Sequence, residues 1–190
     1  NPVTAVEGIA AHLLTEFWSL SPRFIWNTTD RWTQTLTFSW NQFRQVATNF
    51  TGFNPNNRIT VRSQFWEYQS VFKATDTWTI TGGLWLQDLA SERLNDTTHV
   101  QDLDQEETNW AVYLQSQAEI LPGWNVIGGA RFDSYSDFSD AATWRAATSY
   151  RVPHVGTLLH ANYGTACAPP TIQDREPTFF GNPLLVRPER

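Results

Sequence analysis

Apolar and polar residues alternate along much of the chain, with a period of two that predicts β-strands. The alternation is clearest over residues 109–120, where Trp110, Val112 and Leu114 share one face. Gln115 and the residues two positions away from it fall on the opposite face, which is largely polar. Eight segments show this pattern and are predicted strands: residues 12–20, 31–43, 58–72, 78–87, 109–120, 124–135, 142–151 and 157–166.

Tryptophan residues lie near the ends of many of these strands, and one strand shows a change of parity between two aromatic residues. An indole ring is apolar but carries an N–H group, so it suits the boundary between hydrocarbon and the hydrated headgroup layer. Within residues 58–72 the apolar parity changes between Phe65 and Trp66, which predicts a β-bulge. The tryptophans near strand ends on the apolar face are Trp32, Trp40, Trp78, Trp110, Trp124 and Trp144.

The connections between predicted strands alternate between short and long. Residues 73–76, 121–123 and 152–156 are predicted tight turns, whereas residues 44–57 and 88–108 are predicted long polar loops. This asymmetry is typical of outer-membrane barrels, whose turns are short at one rim and longer at the other. A soluble half-buried sheet would show the same alternation along its strands, but it has no reason to keep its long loops at one end.

The fold prediction is therefore all-β: an antiparallel up-and-down transmembrane β-barrel, of which the chain holds about eight strands. In hydrocarbon every backbone N–H and C=O needs a partner within the protein, which closed sheets provide. The mean hydropathy of −0.41 is compatible with this fold because only alternate residues face lipid. The sequence has no Met, and it ends in a segment with Pro169, Pro177 and Pro188 that cannot form a closing strand. Both features predict a section of a larger barrel.

Charge is concentrated in one segment. Residues 88–108 contain seven acids and one base and so carry −6, the net charge of the whole chain. Such a block is typical of a hydrated loop. Its carboxylates also include oxygen ligands of the kind that calcium prefers, although the EF-hand spacing is absent. The candidate loop cation site consists of Asp96, Asp102 and Asp104, and calcium is the only cofactor considered.

The remaining composition excludes several other classes of protein. Thirteen basic against nineteen acidic residues argue against a nucleic-acid partner. The single Cys167 cannot form an internal disulfide bond. No set of residues has convincing catalytic spacing, so the protein is not expected to be an enzyme. Arg131 and Asp133 lie two residues apart on one face and are expected to form a salt bridge or a hydrogen-bond ladder rather than an acid–base pair.

The second half of the chain resembles the late barrel strands of TonB-dependent outer-membrane receptors. Within that family it is most similar to the cobalamin-receptor-like branch. Residues 129–136 read GARFDSYS, residues 163–166 read YGTA, and residues 181–183 read GNP. Cys167 and Ala168 stand where the family usually has Phe and a basic residue. The positions that match the family's motifs are Tyr163, Gly164, Thr165, Pro170, Thr171, Gly181, Asn182, Pro183, Pro188 and Glu189.

The resemblance implies that residues 1–190 are part of a receptor barrel, typically of 22 strands, in a Gram-negative outer membrane. It implies uptake of a scarce nutrient of the iron-siderophore or cobalamin type. The energy would come from TonB through a plug domain that, like the closing strands, is absent from this sequence. The expected partners are therefore the TonB complex, a small-molecule nutrient and outer-membrane lipid.

Two other hypotheses remain open from the sequence. A soluble β-sandwich carbohydrate-binding module would use Trp residues as sugar platforms and would pack its indoles between two sheets. A small passive porin-like barrel would contain a terminal strand that closes the barrel.

Overall fold

The described part of the chain folds as a single antiparallel β-sheet. The computed structural model describes residues 11–49, 56–137 and 139–169, except for the side chain of Asp102. No helix within these ranges is long and apolar enough to cross a membrane. The described residues contain nine strands: β1 (His12–Leu20), β2 (Arg23–Thr29), β3 (Trp32–Thr48), β4 (Asn57–Lys73), β5 (Trp78–Asn95), β6 (Val100–Leu121), β7 (Trp124–Tyr135), β8 (Ala141–Arg151) and β9 (Leu158–Gly164).

Strands β1 and β2 form one continuous edge of the sheet, interrupted only by a proline. Leu20 lies opposite Trp40 of β3 and Arg23 lies opposite Thr37, so the register is unchanged across the break. The N–H of Phe38 still donates to the carbonyl of Pro22, at 3.1 Å. Proline has no N–H to return the bond, so the ladder loses one donor there. In the described residues the nine strands therefore occupy eight sheet positions, which matches the predicted number of eight.

Consecutive strands are hydrogen-bonded neighbours, in the order β3, β4, β5, β6, β7, β8, β9 after the β1–β2 edge. This is the meander predicted from the sequence, and the described sheet ends in two open edges rather than closing. One rim carries the predicted tight turns, such as Pro122–Gly123, where Gly123 has a positive φ of 78°. The predicted strand positions and their antiparallel order are confirmed.

The sheet has two chemically different faces and no conventional core. The apolar face carries the even-numbered residues of β3 to β8, and its side chains are open to the surroundings: Leu114 is 60% exposed and Leu84 56%. Among the described residues, the buried hydrophobic residues are only Ala47, Ala111 and Ala141. A β-sandwich would bury its large apolar residues between two sheets. The soluble sandwich hypothesis is therefore wrong.

Two rows of tryptophan border the apolar face. The lower row, next to the tight turns, contains Trp32, Trp78 and Trp124, each the first residue of its strand. The upper row lies six to eight residues further along the sheet, about 20–26 Å at ~3.3 Å per residue, and contains Trp40, Trp66, Trp110 and Trp144. The aliphatic residues between the rows are Leu36, Ile80, Leu84, Val112, Leu114 and Val126. Beyond the upper row the same face becomes polar at once, with Asp88 two residues after Leu86.

The lower row follows one repeated hydrogen-bonding pattern. The Nε1–H of Trp78 donates to the Ser116 hydroxyl at 2.8 Å. Trp32 donates to Ser70, and Trp124 to Thr148, also at 2.8 Å. In each case the hydroxyl lies on the neighbouring strand, two residues from the tryptophan's direct partner. The indole N–H groups in the lower row therefore bond to the protein itself.

Three sequence predictions about irregular segments are wrong. Residues 88–108 are not a loop: β5 and β6 continue as paired strands to Asn95 and Val100, joined by a four-residue turn. The connection predicted over residues 44–57 is also shorter than expected, because β3 extends to Thr48. The predicted bulge between Phe65 and Trp66 is also absent, since the register of β4 is continuous there. Phe65 lies on the polar face and Trp66 on the apolar face, which produces the apparent change of parity.

Candidate functional site on the polar face of the sheet

A cluster of hydrogen-bonded side chains occupies the middle of the polar face, built around Tyr113 of β6. The Tyr113 hydroxyl donates to Glu67 Oε1 at 2.9 Å and accepts from Gln69 Nε2 at 3.1 Å, both on β4. The ring reaches across β5 because its direct partner there is Gly83. A Cβ atom at Gly83 would overlap the ring. The glycine thus opens the path that joins β6 to β4.

Arg131 of β7 connects this cluster to an aromatic pair. It donates to both carboxylate oxygens of Asp133, at 2.7–3.0 Å, which confirms the predicted salt bridge. Its guanidinium carbon also lies 6.0 Å from the centroid of the Trp85 ring. Trp85 stacks on Phe65 with ring centroids 4.4 Å apart and planes at 16°. A cation over an aromatic face is attracted by the ring quadrupole, which favours this position of the guanidinium.

The cluster lines an open concavity of about 600 Å³. Its far wall is formed on β8 and β9, where Arg145 donates to Gln115 and Thr165 follows the end of β9. The lining offers donors from arginine and glutamine and acceptors from glutamate and tyrosine. These groups can bind a polar surface by hydrogen bonds.

Two of the three predicted cation ligands lie in β6, and the third lies in the four-residue turn of the β5–β6 hairpin, so they do not share one long loop. Asp96 begins the turn and forms an ion pair with Arg58 at 3.3 Å. Asp104 lies within β6, directly opposite Glu92 of β5, and the side chain of Asp102 lies outside the described residues. Among the described side chains there is no group of three His, Cys, Asp or Glu residues that could hold a metal ion. Calcium binding at this hairpin stays a prediction.

Three of the family-motif positions lie in the described part of the chain and shape the end of β9. The N–H of Trp144 donates to the Thr165 hydroxyl at 3.1 Å, and the N–H of Thr165 donates to the Trp144 carbonyl at 2.9 Å. A Cβ atom at Gly164 would lie 2.6 Å from that carbonyl oxygen. Gly164 and Thr165 therefore let β9 approach β8 closely. The motif positions outside the described residues are Pro170, Thr171, Gly181, Asn182, Pro183, Pro188 and Glu189.

Sequence analysis did not identify Glu67, Gln69 and Tyr113 as a cluster. Their contact depends on the register of three strands, which a period of two along one strand does not reveal. One signal was available: Gly83 interrupts the polar face of its strand. A glycine inside a strand often marks a close approach by another group.

Comparison with known proteins agrees with this architecture. A family model described as "TonB dependent receptor-like, beta-barrel" matches residues 8–190. The copper transporter OprC superposes with a TM-score of 0.70 and 14% identity, over 84% of this chain and 31% of that one. The siderophore receptor PirA from Pseudomonas aeruginosa gives 0.47 and 14%, over 85% and 36%. The yersiniabactin receptor FyuA from Yersinia pestis gives 0.42 and 18%, over 83% and 25%.

No curated protein matches the sequence. At 14% identity, the similarity to OprC shows the fold alone. The chain spans about a quarter to a third of the length of these three solved structures.

Proposed function

Because the chain belongs to the TonB-dependent receptor β-barrel family, we propose that it forms part of the wall of a receptor that imports a scarce nutrient. Barrels of this family are proteins of the Gram-negative outer membrane, and this chain is one of them. The proposed activity is binding and transport, without covalent chemistry. The sequence left a passive porin-like barrel as an alternative, and passive diffusion through such a pore is the result that would contradict energy-dependent import.

The observation that carries the proposal is the division of the sheet into two faces. The apolar face presents exposed side chains such as Val112 and Leu114 between two tryptophan rows, as a wall facing hydrocarbon requires. The polar face presents the Tyr113 cluster, in which Glu67 and Arg131 keep their charges paired or hydrogen-bonded. A wall of this kind separates lipid from a hydrated interior, which is where a transported solute passes.

We propose a metal-carrying nutrient of the ferric siderophore or cobalamin type as the cargo. The cluster around Tyr113 offers tyrosine, glutamine and arginine groups that hydrogen-bond to polar surfaces. Such groups suit a chelate, whose own atoms coordinate the metal, better than a bare cation. OprC is described as a copper transporter, so copper is the alternative cargo to be tested beside the two chelates.

Energy for import would come from TonB, through the plug domain of the complete receptor. This coupling follows from family membership and is part of the proposal. It makes a specific demand on transport: uptake must stop when TonB is removed, even though the barrel remains folded in the membrane.

Uptake measurements on the full-length receptor test the proposal. The receptor gene would be expressed in a strain that lacks it, and entry of labelled ferric siderophore, cobalamin and copper would be measured with and without TonB. We expect saturable uptake of one cargo that TonB loss abolishes. Uptake that continues without TonB and rises linearly with concentration would identify a passive pore instead.

A matched pair of variants tests the role of the polar face. Tyr113→Phe removes the hydroxyl that joins Glu67 to Gln69, and Leu114→Val changes the next residue on the apolar face. We expect the first variant to lower uptake severalfold and the second to leave it unchanged, at equal amounts of folded receptor.

A further inference from the structure

The structure contains a basic groove on the lipid-facing side of the sheet, beyond the upper tryptophan row. Its volume is about 310 Å³. Thr60 of β4 lies at the centre, with Arg58 and Arg62 two residues away on the same face. Arg44 of β3 lies directly opposite Thr60 on one side, and Glu92 of β5 lies opposite on the other. Three guanidinium groups thus surround one hydroxyl, and each guanidinium also contacts one carboxylate at the margin of the groove.

We propose that this groove, defined by Arg44, Arg58, Thr60 and Arg62, binds a phosphate group on the saccharide headgroup of an outer-leaflet glycolipid. The proposal rests on the outer-membrane location of the chain and not on its transport activity. Guanidinium groups present fixed pairs of N–H donors that match phosphate oxygens, and the Thr60 hydroxyl adds a further donor.

The ion pairs already present leave these arginines able to bind an anion. Arg44 meets Glu16 at 3.5 Å, Arg58 meets Asp96 at 3.3 Å, and Arg62 meets Glu92 at 3.2 Å. Each guanidinium has five N–H donors, of which one carboxylate contact uses a minority. The Arg62 side chain stays 51% exposed, and exposed pairs of this kind hold together weakly. The groove therefore keeps an excess of donors that face outward.

Height above the membrane selects the type of lipid. Arg44 and Arg62 each lie four residues beyond a tryptophan of the upper row, Trp40 and Trp66. Four residues correspond to about 13 Å along a strand, or about 10 Å along the membrane normal at a tilt near 40°. The headgroup layer of an ordinary phospholipid is only about 5–8 Å deep. A phosphate carried on a sugar headgroup reaches the level of the groove.

The charge of the neighbouring strands restricts the site to β3 and β4. On the same face and beyond the same row, β5 and β6 carry Asp88, Glu92, Asp104 and Glu106. Phosphate would be repelled from that half of the surface. The boundary between the basic and acidic halves runs along the Thr60–Glu92 pair, so Glu92 weakens the site that Arg44 and Arg62 create.

Binding to full-length receptor, purified in detergent and stripped of lipid, tests the proposal. The probes are a bisphosphorylated lipid A with its inner-core sugars, the same glycolipid after phosphatase treatment, phosphatidylglycerol, and inorganic phosphate. We expect Arg44→Gln and Arg62→Gln each to weaken glycolipid binding about tenfold, the effect of losing one charge-assisted hydrogen bond. Arg31→Gln is the matched control, because Arg31 is an exposed arginine paired with Asp76 at the opposite rim.

The opposite sign is expected for Glu92→Gln, which should tighten glycolipid binding severalfold. This variant keeps the test decisive if an arginine variant does not fold. Equal binding of phosphorylated and phosphatase-treated glycolipid would overturn the proposal, as would equal losses in the control. Equal binding of phosphatidylglycerol or inorganic phosphate would also overturn it, since the saccharide headgroup would then be unnecessary. If the arginines only held the strands together, Glu92→Gln would not increase affinity.

Discussion

Gly83 has a clear structural role because it has no side chain. Its partner across the β5–β6 ladder is Tyr113, whose ring covers the glycine and reaches β4. An aromatic residue that covers a glycine on a neighbouring strand protects the exposed backbone from water. Gly83 thus leaves room for the Tyr113 ring, whose hydroxyl connects β6 to β4 across β5.

Substitution of this glycine tests that role. Gly83→Ala places a methyl group where the Tyr113 ring lies, so the ring must move and lose its bonds to Glu67 and Gln69. We expect a loss of about 1–3 kcal/mol in the free energy of unfolding, typical of overpacking, measured by urea unfolding of the full-length receptor. Gly128→Ala is the control, because nothing lies within 4 Å of its added Cβ. Equal unfolding midpoints for the two variants would contradict the assigned role.

At the level of the strands, the lower tryptophan row is a repeated structural unit. Each of β3, β5 and β7 begins with a tryptophan that donates to a hydroxyl on the next strand. Trp32 and Trp124 also contact aromatic partners edge-on, Phe72 and Tyr150. The repeat joins neighbouring strands at the membrane boundary, where their turns are shortest.

A double-mutant cycle on Trp78 and Ser116 measures this unit. Trp78→Phe and Ser116→Ala should each cost about 0.5–1.5 kcal/mol of unfolding free energy, as expected for one hydrogen bond. Their combination should cost less than the sum, because either change removes the same bond. Trp110→Phe with Ser116→Ala is the control pair, since Trp110 contacts Phe132 rather than a hydroxyl. Full additivity at Trp78 and Ser116 would show that the bond contributes nothing.

The sequence was sufficient to predict the strands wherever one face is apolar. The alternation around Val112 fixed both the strand and the face, because a shift of one residue would place every apolar side chain in water. The tight turns at Pro122 and Gly123 were equally clear. The salt bridge of Arg131 with Asp133 followed from their spacing alone.

The segments that sequence reasoning missed have no such alternation. Beyond Leu86 both faces of β5 mix polar and apolar residues, so the segment lacks alternation and resembles a hydrated loop, yet its ladder with β6 continues to Asn95. Residues 23–29 were not among the predicted strands, although they continue the edge strand past Pro22 in the same register. The Tyr113 cluster depends on the register between strands, which the pattern of residues along one strand does not reveal.

At the level of the whole molecule, stability depends on where the apolar face lies. The part of the sheet that the structure describes has no packed interior, so hydrocarbon is what buries its large apolar residues. Placing a charge on that face would therefore oppose insertion, whereas the same charge on the polar face would remain in water.

Leu114→Arg and Gln117→Arg in the full-length receptor test this asymmetry. Leu114 lies near the middle of the apolar face, so arginine there should lower the stability of the folded barrel in the membrane by about 2–4 kcal/mol. Gln117, three residues away on the polar face, should tolerate arginine. The measurement is heat-modifiability, in which a folded barrel migrates faster before boiling than after. Comparable folded fractions for both variants would reverse the assignment of the two faces.

The β5–β6 hairpin continues as a paired ribbon far above the upper tryptophan row. Ten residues separate Trp110 from Val100 at the tip, about 33 Å along the strand. The ladder is continuous until a register shift between Arg93 and Leu94. Because β4 also pairs with β5 as far as Asn95, the tip is joined to the wall by hydrogen-bonded strands rather than by an irregular loop. A ligand that binds at the tip would therefore contact strands that are continuous with the membrane-spanning wall.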